Sequence, residues 1–462
     1  MMKLKQTVRV VAAAAAVVSI TACAQEAETD TTNTLTIAAV DNVDLQRLQE
    51  LSNAFTAEHP GTTIDWVVQG ENEIRQTIST DVGTQAGRFD VVTIGAYETE
   101  VWADRDLLMP LTEMPESFAA EDFVPSVAEA LSHEGELLAA PFYAESMFTM
   151  YRTDVLDEAG VDMPDQPTWE DILAAATAVS DAGGTTPMCL RGQPGWGENV
   201  APLTAMAHAY GARWYDEEWN ATLDSPEWTQ VFEDYVALGQ LAPDGIEQNG
   251  FAENLELFQN GECAIWVDTT SAASSIFDPE VSTVSDDVAV TAAPTAASGR
   301  ATSWLWSWAL AIPASSDNES LAKEFVAWAT SGEYAELAAE ELGWLNVPPG
   351  SRTDLYANPE YLEAAPFAPL VIESIESADV TDPAASPVPY VGLQYVAVPA
   401  FQSTGTAVGQ QLTDAINGTV PIGEAQENSQ WVTDRVISQY RLLLEEGADA
   451  DNPDQIDGEA RP

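Results

Sequence analysis

The chain has 462 residues, with 75 Asp and Glu against 16 Lys and Arg, a formal charge of −59. Such a surface repels nucleic acid and gains nothing from anionic lipid, and it suits saline surroundings in which ions screen its self-repulsion. Apolar residues make up 45% and there are 14 Trp, so sizeable cores can form; the length exceeds one ordinary core, and two or more lobes are expected.

The first positive charges, Lys3, Lys5 and Arg9, precede an apolar run from Val10 to Ile20. That run is too short for a bilayer span and matches the apolar region of a signal peptide. It ends in Ile20-Thr21-Ala22-Cys23, which resembles a bacterial lipobox. Residues 1–22 are therefore read as a lipoprotein signal peptide and Cys23 as the lipidation site. A lipid there anchors the protein without threading it through the membrane. Removing 1–22 deletes three cations and no acid. Residues 23–32 are small and polar and read as a flexible tether.

The body then alternates strand and helix. "TLTIAAV" is a buried-type strand. Leu45, Leu48, Leu51 and Phe55 recur at helical spacing, and Pro60-Gly61 follows the helix end. "TIDWVVQ" alternates Ile64, Trp66 and Val68 as a strand does, and "RFDVVTIGAY" is an apolar run ending in Gly95. This rhythm predicts an open, largely parallel sheet. Ligands of such sheets bind beyond the carboxyl ends of the strands, where Asn42, Tyr97 and Glu98 stand. Further on, Thr168 and Asp171 form a capping box for a helix carrying Ile172, Leu173, Ala176 and Val179. Helices are expected at Trp228–Leu238 and Ala252–Phe258, then strands at "ECAIWVD" and "SWLWSWALAIP". The residues from 446 to 462 read as an acidic, disordered tail. Besides Cys23, only Cys189 and Cys263 are present. One disulfide and two free thiols are both compatible with the sequence.

"MCLRGQPGWGENVAPL", residues 188–203, is neither helix nor alternating strand, because Gly and Pro break both. It is a loop that gathers Arg191, Trp196, Glu198 and Asn199. Glu198 can accept hydroxyl protons or pair with Arg191. In "SWLWSWALAIP" Trp304, Trp306 and Trp308 fall on one strand face, and Trp304 and Trp306 are the expected cleft wall. Trp344 is a further candidate platform, with Arg352 nearby. Asp268 ends an apolar strand, where a carboxylate needs a partner.

Several segments resemble extracellular solute-binding proteins of carbohydrate ABC transporters. These are "HEGELLAAPFYAESMFTMYRTDVLDEAG", "FQNGECAIWVDTTSAAS" and "LAIPASSDNESLAKEFVAWATS", in family order and spacing. "CLRGQPGWGEN", "SWLWSWALAIP", "WLNVPPGSRTDLY" and "YVGLQYVAVPAFQSTGTAVGQ" resemble the branch that binds sorbitol and mannitol. The resemblance implies an α/β, two-lobe periplasmic-binding-protein-like fold, each lobe an α/β sandwich with a central sheet, joined by a hinge. It places one lobe at 33–142 plus 268–312 and the other at 143–267 plus 313–445. The implied partners are a polyol or sugar and the ABC permease subunits in the membrane; a monomer without cofactor is expected.

A polyol is neutral and covered in hydroxyls, so its site needs donors, acceptors and aromatic platforms on several sides. The residues expected to supply them are Asn42, Tyr97, Glu98, Glu145, Arg191, Trp196, Asn199, Asp268, Trp304, Trp306 and Trp344, with Tyr143, Tyr390 and Tyr395 behind them. Gln193 stands where the branch is expected to carry a basic residue. A mono- or oligosaccharide site would use the same residue types. A secreted glycosidase needs two flanking carboxylates, which so acidic a chain offers without meaning. An adhesive surface lipoprotein predicts no cleft. The three His (His59, His133 and His208) show no ligand spacing, so no metal is expected.

Overall fold

The computed structural model describes residues 33–445. The expected signal peptide, the Cys23 lipidation site, the tether and the tail at 446–462 lie outside the described residues. Nine strands build the two main sheets: β1 (Asn33–Val40), β2 (Thr62–Gln69), β3 (Val91–Ile94), β4 (Ala139–Glu145), β5 (Met147–Arg152), β6 (Thr186–Cys189), β7 (Cys263–Thr269), β8 (Val288–Ala292) and β9 (Trp306–Ala311).

The first sheet has the order β2-β1-β3-β9-β4. β1 runs parallel to β2 and β3, and β9 runs antiparallel to β3 and β4. The inner strands are buried on both faces, β1 from Ile37 to Val40 and β3 along its whole length. β2 is an edge strand and half-buried, which is why it alternates. The second sheet has the order β8-β5-β7-β6, with only β6 and β7 parallel. Cys189 and Cys263 form a disulfide between β6 and β7, with Cα atoms 5.6 Å apart.

Local signals are realised with small shifts. Asn42 caps the helix Val43–Leu51, its Oδ1 accepting from the Leu45 N–H at 2.9 Å. That helix breaks at Ser52 and resumes at Asn53–Glu58, so Phe55 lies on a second piece. The Thr168–Asp171 box closes in both directions at 3.0 and 2.9 Å. β9 begins only at Trp306 and shifts register between Trp308 and Ala309, so Trp304 sits before the strand.

Two segments meet where the lobes join. Ser146, between β4 and β5, donates its N–H to Thr270 Oγ1 at 3.1 Å and accepts from the Thr270 N–H at 2.9 Å. Three expected boundaries are corrected. Tyr143–Glu145 stay in the first sheet as the end of β4. The segment after residue 312, expected in the second lobe, starts on the first: Asn318 Nδ2 donates to the Thr34 carbonyl at 3.2 Å and the Phe325 ring lies 5.2 Å from Phe55. The stretch 268–312 does not all belong to the first lobe: β8 pairs antiparallel with β5 at the edge of the second sheet. The chain regains the first sheet only at β9. Edge strands carry weak apolar signals, and β8 is mostly half-buried. Among the described residues no helix is long and apolar enough to cross a membrane.

Candidate functional site

A cavity of about 350 Å³ lies between the two sheets, beyond the carboxyl ends of β1 and β2. The first lobe contributes Asn42, Arg75, Tyr143, Glu145, Trp306 and Trp308. The second contributes Arg191, Trp196, Glu198, Phe251 and Thr269, and Trp304 enters from the segment before β9. Asn42 both caps its helix and donates Nδ2–H to Tyr143 Oη at 3.0 Å.

Arg191 sits at the end of β6 and is buried. Asp268, at the end of β7, grips it with two hydrogen bonds, Nε to Oδ2 at 2.9 Å and Nη2 to Oδ1 at 2.6 Å. Arg191 Nη1 donates to the Gly197 carbonyl at 3.0 Å and lies 3.7 Å from Glu198. A planar guanidinium fits a carboxylate in this two-pronged way, which fixes its orientation. Asp268 also accepts from Trp266 Nε1 and from the Thr269 N–H, so its oxygens are occupied.

Arg75 stands on the helix Glu71–Thr84, which follows β2. Its guanidinium carbon lies 4.2 Å from the Trp196 ring centroid, 4.7 Å from Trp306 and 4.6 Å from Trp308. Trp196 belongs to the other lobe, so the stack spans the cleft. Glu71 accepts from Arg75 Nε at 3.0 Å and Glu98 from Nη1 at 2.8 Å. Glu98 also accepts the Gly95 N–H at 3.0 Å. Gly95 permits the stack: a Cβ there would stand 2.1 Å from the Trp306 ring.

The lobes touch at glycines. A Cβ on Gly197 would stand 2.1 Å from Glu71 Oε1, and one on Gly195 would stand 2.7 Å from Asn72 Oδ1. Only bare backbone lets the helix Glu71–Thr84 approach the loop this closely. Within the cavity the indole N–H groups of Trp304 and Trp306 are buried and have no partner among the described residues. Such donors are costly unless a bound molecule accepts from them.

Burial pushes the Glu145 carboxyl up to about 8, against a Ser271 hydrogen bond and Arg191. Burial, then nearby Glu71, pushes Glu198 up to about 7. A carboxyl whose folded value exceeds its unfolded one takes up a proton on folding. Its stabilising contribution is complete below the unfolded value of 4.5 and is lost as pH rises through about 8 for Glu145. Stability should therefore decline between about pH 5 and 8. Glu145→Gln should flatten part of that decline and leave the Glu198 part. Urea unfolding of both proteins across this range is the measurement, and parallel curves would refute the assignment to Glu145.

Residues 41–336 match the model of the bacterial extracellular solute-binding protein family. The chain belongs to that family. It is 44% identical over 407 residues to a mannitol-binding protein of Pseudomonas aeruginosa, covering 88% of this chain and 93% of the relative. The crystal structure of an ABC transporter solute-binding protein from Agrobacterium vitis S4 with bound D-mannitol is 47% identical, with a TM-score of 0.86 over 88% of this chain and 98% of that one. A solute-binding protein from Agrobacterium radiobacter K84 in complex with ribitol shares the fold at 20% identity, with a TM-score of 0.75 over 87% and 98% of the two chains.

Of the expected site residues in this solute-binding protein, Asn42, Glu145, Arg191, Trp196, Trp304 and Trp306 line the cavity. Tyr97, Glu98, Asn199, Asp268 and Trp344 do not. Tyr97 donates to the Val398 carbonyl at 3.0 Å and packs its ring 4.7 Å from Trp196. Glu98 and Asp268 hold the two arginines. Asn199 Nδ2 donates to the Gly409 carbonyl and Thr413 Oγ1, and its Oδ1 accepts from Gly195, so it braces the loop. Trp344 is elsewhere, its Nε1–H on Glu360 at 2.9 Å. Arg352 is tied to Asp122 and the Phe118 carbonyl. Tyr390 bonds His208 and the Trp214 N–H, and Tyr395 packs behind Trp306 at 5.9 Å.

The sequence reading missed Arg75, Glu71 and Gln394. Arg75 and Glu71 are four apart at the carboxyl end of β2, the same position rule that selected Asn42. The Gln394 side-chain amide holds the Leu305 backbone, its Oε1 accepting the Leu305 N–H at 3.4 Å and its Nε2 donating to the Leu305 carbonyl at 2.9 Å, and so sets the segment between Trp304 and Trp306. It lies inside "YVGLQYVAVPAF", but nothing in that string marks it above its neighbours.

Proposed function

We propose that this solute-binding protein captures a sugar alcohol of the hexitol class between its lobes and delivers it to a membrane ABC permease. Cys23 carries the lipid that keeps it at the membrane surface. The observation that carries the reading is the cavity itself. It offers two rigidly held arginines, buried carboxyls able to give or accept a proton, unpaired indole donors and aromatic walls. That set suits a neutral molecule with hydroxyls on every side. The relatives at 44% and 47% identity, named for or bound to mannitol, support the same class. At about 350 Å³ the cavity is at the small end of ligand-sized pockets, which favours one short polyol over an oligosaccharide.

Binding works by population shift. The lobes open and close about Ser146 and Thr270 and the crossing before β9. A ligand that touches Arg75 and Trp306 on one side and Arg191 and Trp196 on the other gains both sets of contacts only in the closed form. It therefore favours closure by that difference. No bond of the ligand is made or broken.

The test is a titration of the protein in high salt with mannitol, sorbitol, arabitol, glucose and maltose. Tryptophan fluorescence and calorimetry report binding. A saturable micromolar response to a hexitol is expected, because Trp196, Trp304, Trp306 and Trp308 all face the cavity. A response confined to glucose or maltose would sink the polyol assignment.

A further inference from the structure

The cavity has an unbalanced charge. Six carboxyl groups line it, against two guanidinium groups, and among the described residues neither Lys nor His does. Asp41, Glu73 and Glu253 are exposed and stand where the cavity meets solvent. Glu145 and Glu198 are buried deeper in, and Glu71 lies between.

Neither guanidinium has charge to spare. Arg191 is held by both oxygens of Asp268 and has Glu198 beside it. Arg75 is held by Glu71 and Glu98 at 2.9 and 2.8 Å. A bound anion would have to displace a buried carboxylate from its partner, which leaves that carboxylate unpaired and is strongly unfavourable. Protonation of Glu145 or Glu198 removes repulsion but supplies no cation. An ammonium group meets the opposite situation. It enters past exposed carboxylates and finds buried carboxyls without a full positive partner of their own. The unpaired Trp304 and Trp306 N–H groups still require oxygen acceptors, so the rest of the ligand remains a polyol.

We propose that the cleft sorts polyols by charge: it accepts neutral and ammonium-bearing hexitols and rejects those bearing a carboxylate or phosphate. This rests on the polyol reading and names its boundary. Asp41, Glu73 and Glu253 screen at the mouth, and Glu145 and Glu198 decide inside.

Three ligands of one carbon skeleton test it: D-mannitol, 1-amino-1-deoxy-D-mannitol and D-mannonate. They differ at a single terminal carbon, as alcohol, ammonium and carboxylate, and are close in size. Calorimetry at pH 7 on the full chain should place the amine within about tenfold of mannitol and mannonate at least about 100-fold weaker than the amine. Mannonate within about tenfold of the amine would overturn the proposal. Glu73→Lys, an exposed change at the mouth, should raise mannonate affinity by about tenfold; no gain would overturn the role of the mouth. If mannitol and the other hexitols all fail to bind, the polyol reading falls separately. Charge sorting is then read from D-glucose, D-glucosamine and D-glucuronate, with the same limits deciding for or against it.

Discussion

Arg191→Ala is expected to abolish ligand binding and to cost about 3–5 kcal/mol of stability. The side chain is buried, and it answers the charge of Asp268 and part of that of Glu198. Removing it leaves Asp268, at 1% exposure, with two oxygens built around an absent cation. The remaining donors, Trp266 Nε1 and the Thr269 N–H, are both uncharged. The loop loses its Gly197 carbonyl contact as well, so Trp196 loses its support. Urea unfolding and calorimetry measure the two effects. Arg191→Lys keeps the charge and loses the fork, and should fall between parent and alanine. Parental stability in Arg191→Ala would show that the Asp268 pair does not organise the site.

Arg75→Ala should weaken hexitol binding by about 100-fold through the closed form. The arginine is a first-lobe cation stacked on a second-lobe tryptophan, 4.2 Å from its centroid. A desolvated contact of this kind contributes up to about 2 kcal/mol. Its removal also strands Glu98, buried at 3% exposure, which adds a penalty of about 1–3 kcal/mol. Part of that penalty falls on the folded protein in any state, and part on closure alone. Titration gives the affinity, and unfolding without ligand gives the first part. Affinity within about threefold of the parent would show that the stack does not contribute to closure.

These two arginines also show how far the sequence could be read. Arg191 was legible because it sits in a loop that Gly and Pro exclude from regular structure. Arg75 was not, because a helix with Glu71 and Arg75 four apart looks like an ordinary exposed pair. Its burial arises only when Trp306 and Trp308 from β9 and Trp196 from the other lobe arrive above it. Glu98 and Asp268 were read as ligand acceptors from their strand-end positions. Their position was right and their partner was different. In a low-dielectric interior a carboxylate pairs with the nearest guanidinium, and distance in sequence carries no trace of that neighbour. Asp268 and Arg191 are 77 residues apart, and Asn199 and Thr413 are 214 apart. Trp344 shows the reverse error: a distinctive string with a tryptophan that faces Glu360.

By itself the sequence determined the α/β class, the strand–helix rhythm of the first lobe, the capping box at Thr168 and a loop within 188–203, which the structure narrows to 190–199 because β6 runs to Cys189 and a helix starts at Val200. Each of these depends on residues within a few positions of one another, through apolar period, capping atoms, or the φ limits of Gly and Pro. The tertiary structure alone decided that β8 joins the second sheet, that Cys189 bonds Cys263, and that Glu98 and Asp268 serve the arginines while Glu145 and Glu198 line the cavity. Those outcomes depend on which surfaces meet when two lobes pack, and burial then selects which charges must pair.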